Sequence, residues 1–377
     1  MNDSMNYKKY RLYAFLRTLS PLHIASPEKI TLNTDTMKQD FTGGKGEANY
    51  NYTACTGVQK LNIYDGNEHL HGVPVIPANN IVGRLRRHAA NKVLEVLEKK
   101  GQRVTIQTYS GLTCGAVTGN PDSRDVTFAE YRETRAHPYI GLFGGGPRMM
   151  RRYVRCFNAV PYMDLTSGMF ERIKHPLMDA SHKTTKPSSA LFQYWTFNRN
   201  DDLRELVNVS RAISSIENFE DEILKRQASI LAGKSKDGAA DNSKYTTKTW
   251  TAFEFVVPGI VFPLTFELDV TDAQLALFLL VLDAFAKTER LGGHVRNGLG
   301  QFALDEVVVE EVENGMATKT VDHLFNNSAL VMDNEFVAEK MKAWVTASAD
   351  LNAADLNRLF SLPPPDEKKE KKEKKSA

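Results

Sequence analysis

Two segments with apolar side chains at helical spacing, each lying between stretches that alternate polar and apolar residues, constrain the fold of this chain most. The first helix is predicted to begin behind Pro77, with Asn79 or Asn80 as its N-cap, and to end at Gly101. Its apolar positions recur at four-residue intervals: Ile81, Leu85, Ala89, Val93 and Leu97. The second helix is predicted over 272–287, so two helices and the strands around them must share a core.

Strand-like patterns surround both helices. Residues 7–19 alternate, so one face of the strand is predicted to carry Tyr10, Leu12, Ala14 and Leu16, and the other Arg11, Tyr13, Phe15 and Arg17. Further strands are predicted within 152–164, 190–200, 249–270 and 302–312. The order strand, helix, strand, strand, helix, strand is that of a split βαβ, or ferredoxin-like, unit. We therefore predict an α+β fold in which this unit carries large insertions.

The segments between these elements are predicted to be insertions and tails. Residues 26–72 are rich in Gly, Asn, Asp and Thr and are predicted to form a long insertion loop, with a second insertion at 103–150. Helices are predicted near 128–135 and over 202–231, followed by a polar run at 233–244. A small helical ending is predicted for 316–362, and 363–377 is a Lys/Glu-rich tail.

The charge balance excludes a protein that coats nucleic acid indiscriminately. The formal net charge of +2 comes from the tail at 366–377, which has six Lys against four acidic residues, so any nucleic-acid site must come from local clusters. Cys55, Cys114 and Cys156 form no ligand or disulfide pattern, and neither a metal nor another cofactor is expected. The absence of a long apolar segment predicts a cytoplasmic protein without a membrane partner.

The strongest local signal is a glycine-rich loop between the second helix and the last strand of the unit. The loop contains Gly292, Gly293, His294, Arg296, Asn297, Gly298 and Gly300. Glycines let the backbone approach a ligand and present N–H groups to phosphate, while Arg296 supplies charge. The spacing is not that of a dinucleotide fingerprint, and a plain tight turn is the alternative interpretation.

A second cluster lies in the first turns of the first predicted helix. It consists of Arg84, Arg86, Arg87 and His88, with Asn79 and Asn80 at the helix start. The N–H groups of a helix start bind anions, and cations there oppose the helix dipole, so a bound anion explains them better than helix stability does. A solvated helix face is the alternative.

A third cluster follows the glycine run at 144–146 and makes the local field strongly positive. It consists of Arg148, Arg151, Arg152 and Arg155. Nucleic-acid contact and salt bridges between subunits are the two interpretations of this cluster.

No catalytic constellation is recognisable. His23 follows the first strand without an assignable partner, and His69 and His71 at i, i+2 lack a third metal ligand. The acids of the first insertion are candidates for assisting RNA cleavage, or are ordinary solvated loop residues: Asp35, Asp40 and Asp65.

Three of these segments together resemble, in order and spacing, the landmarks of the RAMP superfamily of CRISPR proteins. They are SPLHIAS at 20–26, PVIPANNIVGRLRR at 74–87 and LGGHVRNGLGQF at 291–302. In that superfamily a strand end, a helix start and a C-terminal glycine-rich loop of these kinds lie on one face of an RRM-like palm. Within the superfamily the chain is most similar to the backbone subunits of the Cas-seven group, especially the type IV version.

The resemblance implies a hand-like architecture. The RRM/ferredoxin-like palm would be formed by 1–25, 73–102, 151–199 and 250–315, with a finger-like insertion at 103–150 and a thumb-like insertion at 200–249. It also implies a non-catalytic subunit of an effector complex that binds guide RNA and presents it for pairing with a complementary target nucleic acid. Further copies would stack head to tail along the guide, next to other CRISPR effector subunits.

By position, the resemblance implies guide-phosphate contacts from two segments. They are Asn79, Asn80, Arg84 and Arg87 at the helix start, and Gly292, Gly293, His294, Arg296 and Asn297 in the loop. The clusters add Arg86, Arg148, Arg151 and Arg152 as RNA-binding candidates. Asn79, Asn80 and Arg84 replace the Ser-Ser and Lys of the family's helix motif, and Arg is a competent phosphate donor.

Two alternatives remain at the level of sequence. RNA-cleaving relatives place a catalytic Asp in the first insertion, and Asp35, Asp40 and Asp65 do not align with it, which favours a subunit without catalysis over a RAMP endoribonuclease. A solitary RRM-like RNA-binding module is the other alternative.

Overall fold

A computed structural model describes residues 6–33, 38–39, 52–115, 127–146, 150–176, 178–200, 209–232 and 248–361. The chain forms two compact units. The palm unit comprises Met1–Ile24, Gln59–Leu191 and Val256–Ala377, and the second unit comprises Ala25–Val58 and Phe192–Phe255.

The strands are β1 Lys8–Thr18, β2 Ala25–Asn33, β3 Lys38–Gln39, β4 Tyr52–Val58, β5 Lys60–Tyr64, β6 Leu70–Pro74, β7 Val154–Cys156, β8 Phe192–Asn200, β9 Lys248–Val256, β10 Val261–Val270, β11 Phe302–Glu313, β12 Met316–Val321, β13 Phe325–Asn326 and β14 Ala329–Leu330. The α-helices are α1 Ala78–Lys99, α2 Ile106–Cys114, α3 Phe128–Ala136, α4 Ile140–Phe143, α5 Asp164–Arg172, α6 Val209–Ser215, α7 Phe219–Ala232, α8 Asp272–Thr288, α9 Glu335–Asp350 and α10 Ala353–Phe360.

The main sheet of the palm unit has the strand order β12-β11-β1-β10-β7. All its pairings are antiparallel. Numbered along the split βαβ unit, its four strands β1, β7, β10 and β11 lie in the order 4-1-3-2. Along the chain, α1 lies between the first two strands and α8 between the last two. This is the ferredoxin-like arrangement, so the predicted α+β fold with an RRM/ferredoxin-like palm is confirmed.

The helical face of the sheet is covered by apolar packing. The side chain of Tyr10 faces this side, because its hydroxyl donates to Asp272 at 3.5 Å and its ring meets the Phe336 ring at 6.5 Å. Its neighbours on alternate positions of β1, such as Leu12, are fully buried. α8 is apolar around most of its circumference and contributes Phe278 and Phe285 to this core. Burial of such side chains stabilises the fold by about 1.5–3 kcal/mol each.

The other face of β1 is only partly open, which differs from the simple alternation expected from sequence. Tyr13 and Phe15 point away from α8, yet both are buried. The ring of His175 covers them, with centroid distances of 4.8 Å to Tyr13 and 5.7 Å to Phe15. Burial lowers the pKa of His175 to about 4, so the imidazole packs as a neutral ring at neutral pH. Lys9 and Arg11, at the other end of β1, keep this face polar.

The start of α1 differs from the sequence prediction, in which Asn79 or Asn80 is the N-cap. Pro77 occupies the N-cap position without a side-chain capping bond. The Ala78 amide instead donates to the side-chain oxygen of Asn158 at 2.9 Å. A cap supplied from eighty residues away is not visible in a local sequence pattern, because only the fold brings the two segments together.

The second unit is built on a sheet with the order β3-β2-β4-β9-β8, in which β4 pairs with β9 in parallel. Leu32, Cys55 and Ala252 form its buried cluster, and Tyr194 packs against them. The buried carboxylate of Glu254 accepts a hydrogen bond from the Val58 amide at 2.8 Å.

Several segments differ from their sequence assignment. Residues 26–72 were predicted to be a loop but contain most of β2, all of β3, β4 and β5, and part of β6. The Asp65-Gly66-Asn67 turn folds β5 and β6 into a hairpin. The strand expected within 152–164 is limited to β7, and 316–362 contains three short strands before its helices. The helix expected over 202–231 is two helices, α6 and α7, with 202–208 outside the described residues. Residues 233–244 and 363–377 also lie outside the described residues.

No described helix is long and apolar enough to cross a membrane.

Candidate nucleic-acid interface

The glycine-rich loop lies directly against the SPLHIAS segment. The Gly293 amide donates to the carbonyl oxygen of His23 at 2.7 Å, and the rings of His23 and His294 meet at 5.2 Å. Gly292 has φ +78, and a Cβ there would lie 2.1 Å from the His23 carbonyl oxygen. Only glycine fits this close approach, so the loop is more than a generic turn.

The outer part of the loop is presented to solvent. His294 adopts a left-handed conformation at φ 56, and a short 3₁₀ turn, Val295–Asn297, follows it. Arg296 and Asn297 are exposed, and their side chains have no hydrogen bond or ion pair to any described residue. The loop therefore holds a cation and an amide on a rigid base, ready for an external partner.

Arg84 joins the start of α1 to the start of the glycine-rich loop. Its guanidinium forms an ion pair with the carboxylate of Glu289 and donates to the carbonyl oxygen of Arg290 at 2.6 Å. Its Nε donates to the side-chain oxygen of Asn80 at 3.1 Å. The two segments that the sequence singles out therefore meet in space. Arg84 itself is an internal link, because its Nε and Nη1 donors are already used by Asn80, Glu289 and Arg290.

Glu289 is the electrostatic centre of this junction. Partial burial by itself would raise the pKa of this carboxyl group. Hydrogen bonds from the His88 ring at 3.2 Å and from the Arg290 amide lower it, as does the charge of Arg84. These effects outweigh burial, and the pKa falls to about 2. The carboxylate thus stays ionised at neutral pH. It neutralises Arg84, which weakens the sequence-based assignment of this side chain to a phosphate contact.

We expect Arg84→Ala to destabilise the protein more than it weakens nucleic-acid binding. The substitution leaves the carboxylate of Glu289, whose side chain is 19% exposed, without its guanidinium, at a cost of about 2–3 kcal/mol in the free energy of unfolding. A urea-denaturation cycle with Glu289→Gln and the double variant should show a coupling energy of about 1 kcal/mol or more. Unchanged stability with a large loss of RNA affinity would contradict this role and restore Arg84 as a direct ligand.

Arg86, a predicted RNA contact, has a structural role in the fold. Its guanidinium donates to the carbonyl oxygens of Phe143 at 2.5 Å and Gly144 at 3.1 Å. A Cβ at Gly115 would lie 2.5 Å from Arg86 Nη1, so the side chain is enclosed by this turn. Arg86 therefore holds the end of α4 against α1.

The remaining cations of the helix start and of the third cluster are presented outward. Arg87 is exposed and has no hydrogen bond or ion pair to any described residue. Arg152 Nη1 lies 3.4 Å from the side-chain oxygen of the exposed Asn79, so the third cluster reaches the start of α1. Arg151 is exposed beside the Tyr153 ring at 5.8 Å. Arg148 lies outside the described residues.

A basic groove of ≈ 420 Å³ occupies the open half of the sheet face. It brings together Lys9 and Arg11 of β1 with the third-cluster residues Arg151, Arg152 and Arg155, while Glu267 and Asp269 supply two negative charges. Arg155 pairs with Glu267 at 3.7 Å. Lys9 and Arg11 were not among the sequence-predicted site residues. The alternation of Lys9 and Arg11 with buried residues on β1 indicates that they share one face of the strand. Only the sheet register places that face beside the third cluster.

The groove and the glycine-rich loop lie toward opposite ends of β1. The loop leads into β11, whose Phe302 pairs with Thr18, whereas the groove lies at the Lys9 end. Thr18 lies nine positions after Lys9, which is about 30 Å along an antiparallel strand. The predicted RNA-binding residues thus form two groups, and the contact of Arg152 with Asn79 links the groove to the start of α1.

A sequence profile described as the RAMP superfamily matches residues 15–303, which is more than half of the chain. This chain belongs to the RAMP superfamily. The resemblance inferred from the three sequence landmarks is therefore confirmed at the level of the superfamily. Among solved structures, the chain is similar to one in a structure titled "Type IV-B CRISPR Complex", at 16% identity and a TM-score of 0.43, covering 82% of this chain and 93% of that chain. No curated protein matches.

The RAMP landmarks lie together at one end of this palm. The SPLHIAS segment supports the glycine-rich loop through His23, and the helix motif reaches the same loop through Arg84. The departures from the RAMP helix motif have a structural use here, because Asn80 and Arg84 are bonded to each other.

The acids and histidines of the first RAMP insertion show no metal-ligand arrangement where they are described. Asp65 pairs with the His71 ring at 2.8 Å and accepts from the Asn67 and His69 amides. The hydrogen bond from His71 is the main cause that lowers the pKa of Asp65 to about 2. These contacts make it a turn-stabilising residue of the β5-β6 hairpin. Asp35 and Asp40 lie outside the described residues, and no three His, Cys, Asp or Glu side chains within the described ranges converge as metal ligands would.

Proposed function

We propose that this RAMP-superfamily chain is a non-catalytic, guide-RNA-binding backbone subunit of a CRISPR ribonucleoprotein effector complex. The observation that carries the proposal is the junction of the α1 start with the glycine-rich loop through Arg84, Glu289 and Arg290. The cations Arg87 and Arg296 belong to the two joined segments and are exposed. Such an arrangement suits the phosphates of a single strand, because it offers charge and backbone donors without a base-reading code.

The polarity of the interface supports a role in holding the guide rather than reading its sequence. Its proposed contacts are Asn79, Arg87, Arg152, Gly292, Gly293, His294, Arg296 and Asn297, with Asn80 and Arg84 as the scaffold beneath them. Sequence would be read by pairing between the guide and a complementary target nucleic acid.

Further copies of the chain would stack head to tail along the guide, and other effector subunits would complete the complex. The thumb-like insertion at 200–249 is proposed to reach the neighbouring copy, and 103–150 is proposed to supply much of the finger region.

Equilibrium binding to single-stranded RNA at several salt concentrations tests this function. We expect the logarithm of the association constant to fall linearly with the logarithm of salt concentration, by about 0.7 for each phosphate neutralised. On RNAs of increasing length the bound protein mass should rise in steps of one subunit, and the RNA should stay intact in magnesium. A protein that binds no RNA, or that binds one copy whatever the RNA length, would refute the backbone role. Regular cleavage of complementary RNA would refute the non-catalytic one.

A further inference from the structure

A second cavity of ≈ 670 Å³ adjoins the basic groove at the Lys9 end of the palm sheet. Its walls come from the segment before β1, from α3, and from the segment before β7; the residues used here are Tyr7, Tyr131, Arg132, Arg135, Tyr153 and Asp269. The volume is within the ~300–1,000 Å³ typical of sites for small organic groups. Three tyrosines line the cavity together with two arginines and two acidic residues, Glu133 and Asp269, so the lining is aromatic and carries both signs of charge.

The interior of this cavity is fixed by Arg135. The guanidinium carbon lies 3.9 Å from the Tyr7 ring centroid and 3.6 Å from the Tyr153 ring centroid, so it is held between two rings. It also donates to the carbonyl oxygens of Asp269 at 2.5 Å and Gly141 at 3.1 Å. Arg135 is 5% exposed, and its donors are used by the fold. The ring of Tyr153 is therefore held rigidly before any ligand arrives.

Tyr131 is the exposed aromatic wall. Its hydroxyl bonds to the Tyr153 hydroxyl at 2.5 Å, which fixes the ring, while 37% of the residue remains exposed. Burial raises the pKa of Tyr153, and its hydrogen bond with the Tyr131 hydroxyl adds to this effect, so the Tyr153 hydroxyl stays protonated at physiological pH. A fixed, half-exposed aromatic ring is a surface on which another planar ring can stack.

The cavity and the groove adjoin each other, and both are lined by aromatic and charged side chains. Tyr153 and Asp269 line both, so a ligand that leaves the cavity enters a surface with Arg151, Arg152 and Arg155. Aromatic side chains next to a cationic groove are the recurring arrangement in sites for single-stranded nucleic acid. A protein side chain from a partner would use the aromatic wall but would leave the adjoining cations without phosphates.

We infer that the cavity beside Tyr131 takes one unpaired nucleobase of a bound RNA strand, whose backbone runs along the groove. This inference rests on the proposed function and deepens it, because it adds a base-stacking position to an interface otherwise made of phosphate contacts. Arg135 is a positioning residue here, since it acts by holding the Tyr153 ring. The stacking is independent of base identity, because every base has a π face.

Single-stranded RNA carrying aminopurine at scanned positions tests the inference with the full-length protein. Stacking on Tyr131 should quench the fluorescence of the aminopurine at one position in each bound segment. Tyr131→Ala should abolish the quenching and weaken RNA binding about 5-fold to 150-fold, the loss measured when one stacking aromatic is removed. Tyr131→Phe should retain the quenching, since the ring remains. Tyr109→Ala is the matched control, because Tyr109 is a 45% exposed tyrosine of α2 that does not line the cavity.

The outcomes separate this inference from the function on which it rests. RNA binding with the expected salt dependence, but with equal fluorescence for the wild-type protein and Tyr131→Ala, would overturn the base site and leave the proposed function intact. A change in the assembly of copies without a change in fluorescence would also overturn it and assign the cavity to a partner's side chain. Failure of the wild-type protein to bind RNA at all would contradict both the base site and the proposed function.

Discussion

Replacing Gly292 by alanine should destabilise the palm unit by more than about 3 kcal/mol. A left-handed residue other than glycine costs about 1–2 kcal/mol by itself. The added Cβ would in addition lie 2.1 Å from the backbone carbonyl oxygen of His23, which cannot move without breaking its hydrogen bond from Gly293. Urea denaturation of the purified variant measures the effect, and a variant too unstable to purify would meet the same expectation.

Gly298→Ala is the matched control for this prediction. Gly298 belongs to the same loop and has φ +84, but a Cβ added there would have no atom within 4 Å outside its chain neighbours. We expect a cost of about 1 kcal/mol from backbone conformation alone. Equal stability losses in the two variants would show that the contact between the loop and the SPLHIAS segment does not hold the site together.

Removing three outward cations together should weaken RNA binding by more than about 100-fold. The variant Arg87→Gln, Arg152→Gln, Arg296→Gln takes one charge from each of the three segments that form the interface. Three charged contacts at about 1 kcal/mol or more each give this loss. The salt dependence should also become shallower by about 2 units, since each phosphate contact to a single strand contributes about 0.7. Fluorescence anisotropy with labelled RNA measures both quantities.

The control for this triple variant carries the same change in net charge at other exposed positions of the palm unit: Arg172→Gln, Lys186→Gln, Lys342→Gln. It should bind RNA nearly as tightly as the wild-type protein. An equal loss in the two variants would mean that net charge alone governs binding and that the interface is misplaced.

The periodic elements of the palm were predictable because their signals are local. The apolar spacing of α1 and α8 identified both helices, and the strand-helix order identified the ferredoxin-like unit. The hairpin formed by β5 and β6 was missed, although Asp65-Gly66 is a turn signal, since the glycine and threonine content around it favoured a loop.

The candidate site was only partly predictable, because a cation's role depends on partners far away in sequence. Arg84 and Arg87 look equivalent in sequence, yet Arg84 pairs with Glu289, more than two hundred residues further along, and Arg87 is exposed. The same holds for Arg86, whose acceptors are carbonyl groups after α4. Lys9 and Arg11 join the groove only through the register of β1 with β10.

The central claim is that the α1 start and the glycine-rich loop grip one strand of RNA together, and photo-crosslinking tests it most directly. Thiouridine-substituted RNA bound to the protein should crosslink to peptides from both 79–87 and 291–300, identified by mass spectrometry, and competing unlabelled RNA should suppress both. Crosslinks that avoid both of these segments would contradict the account.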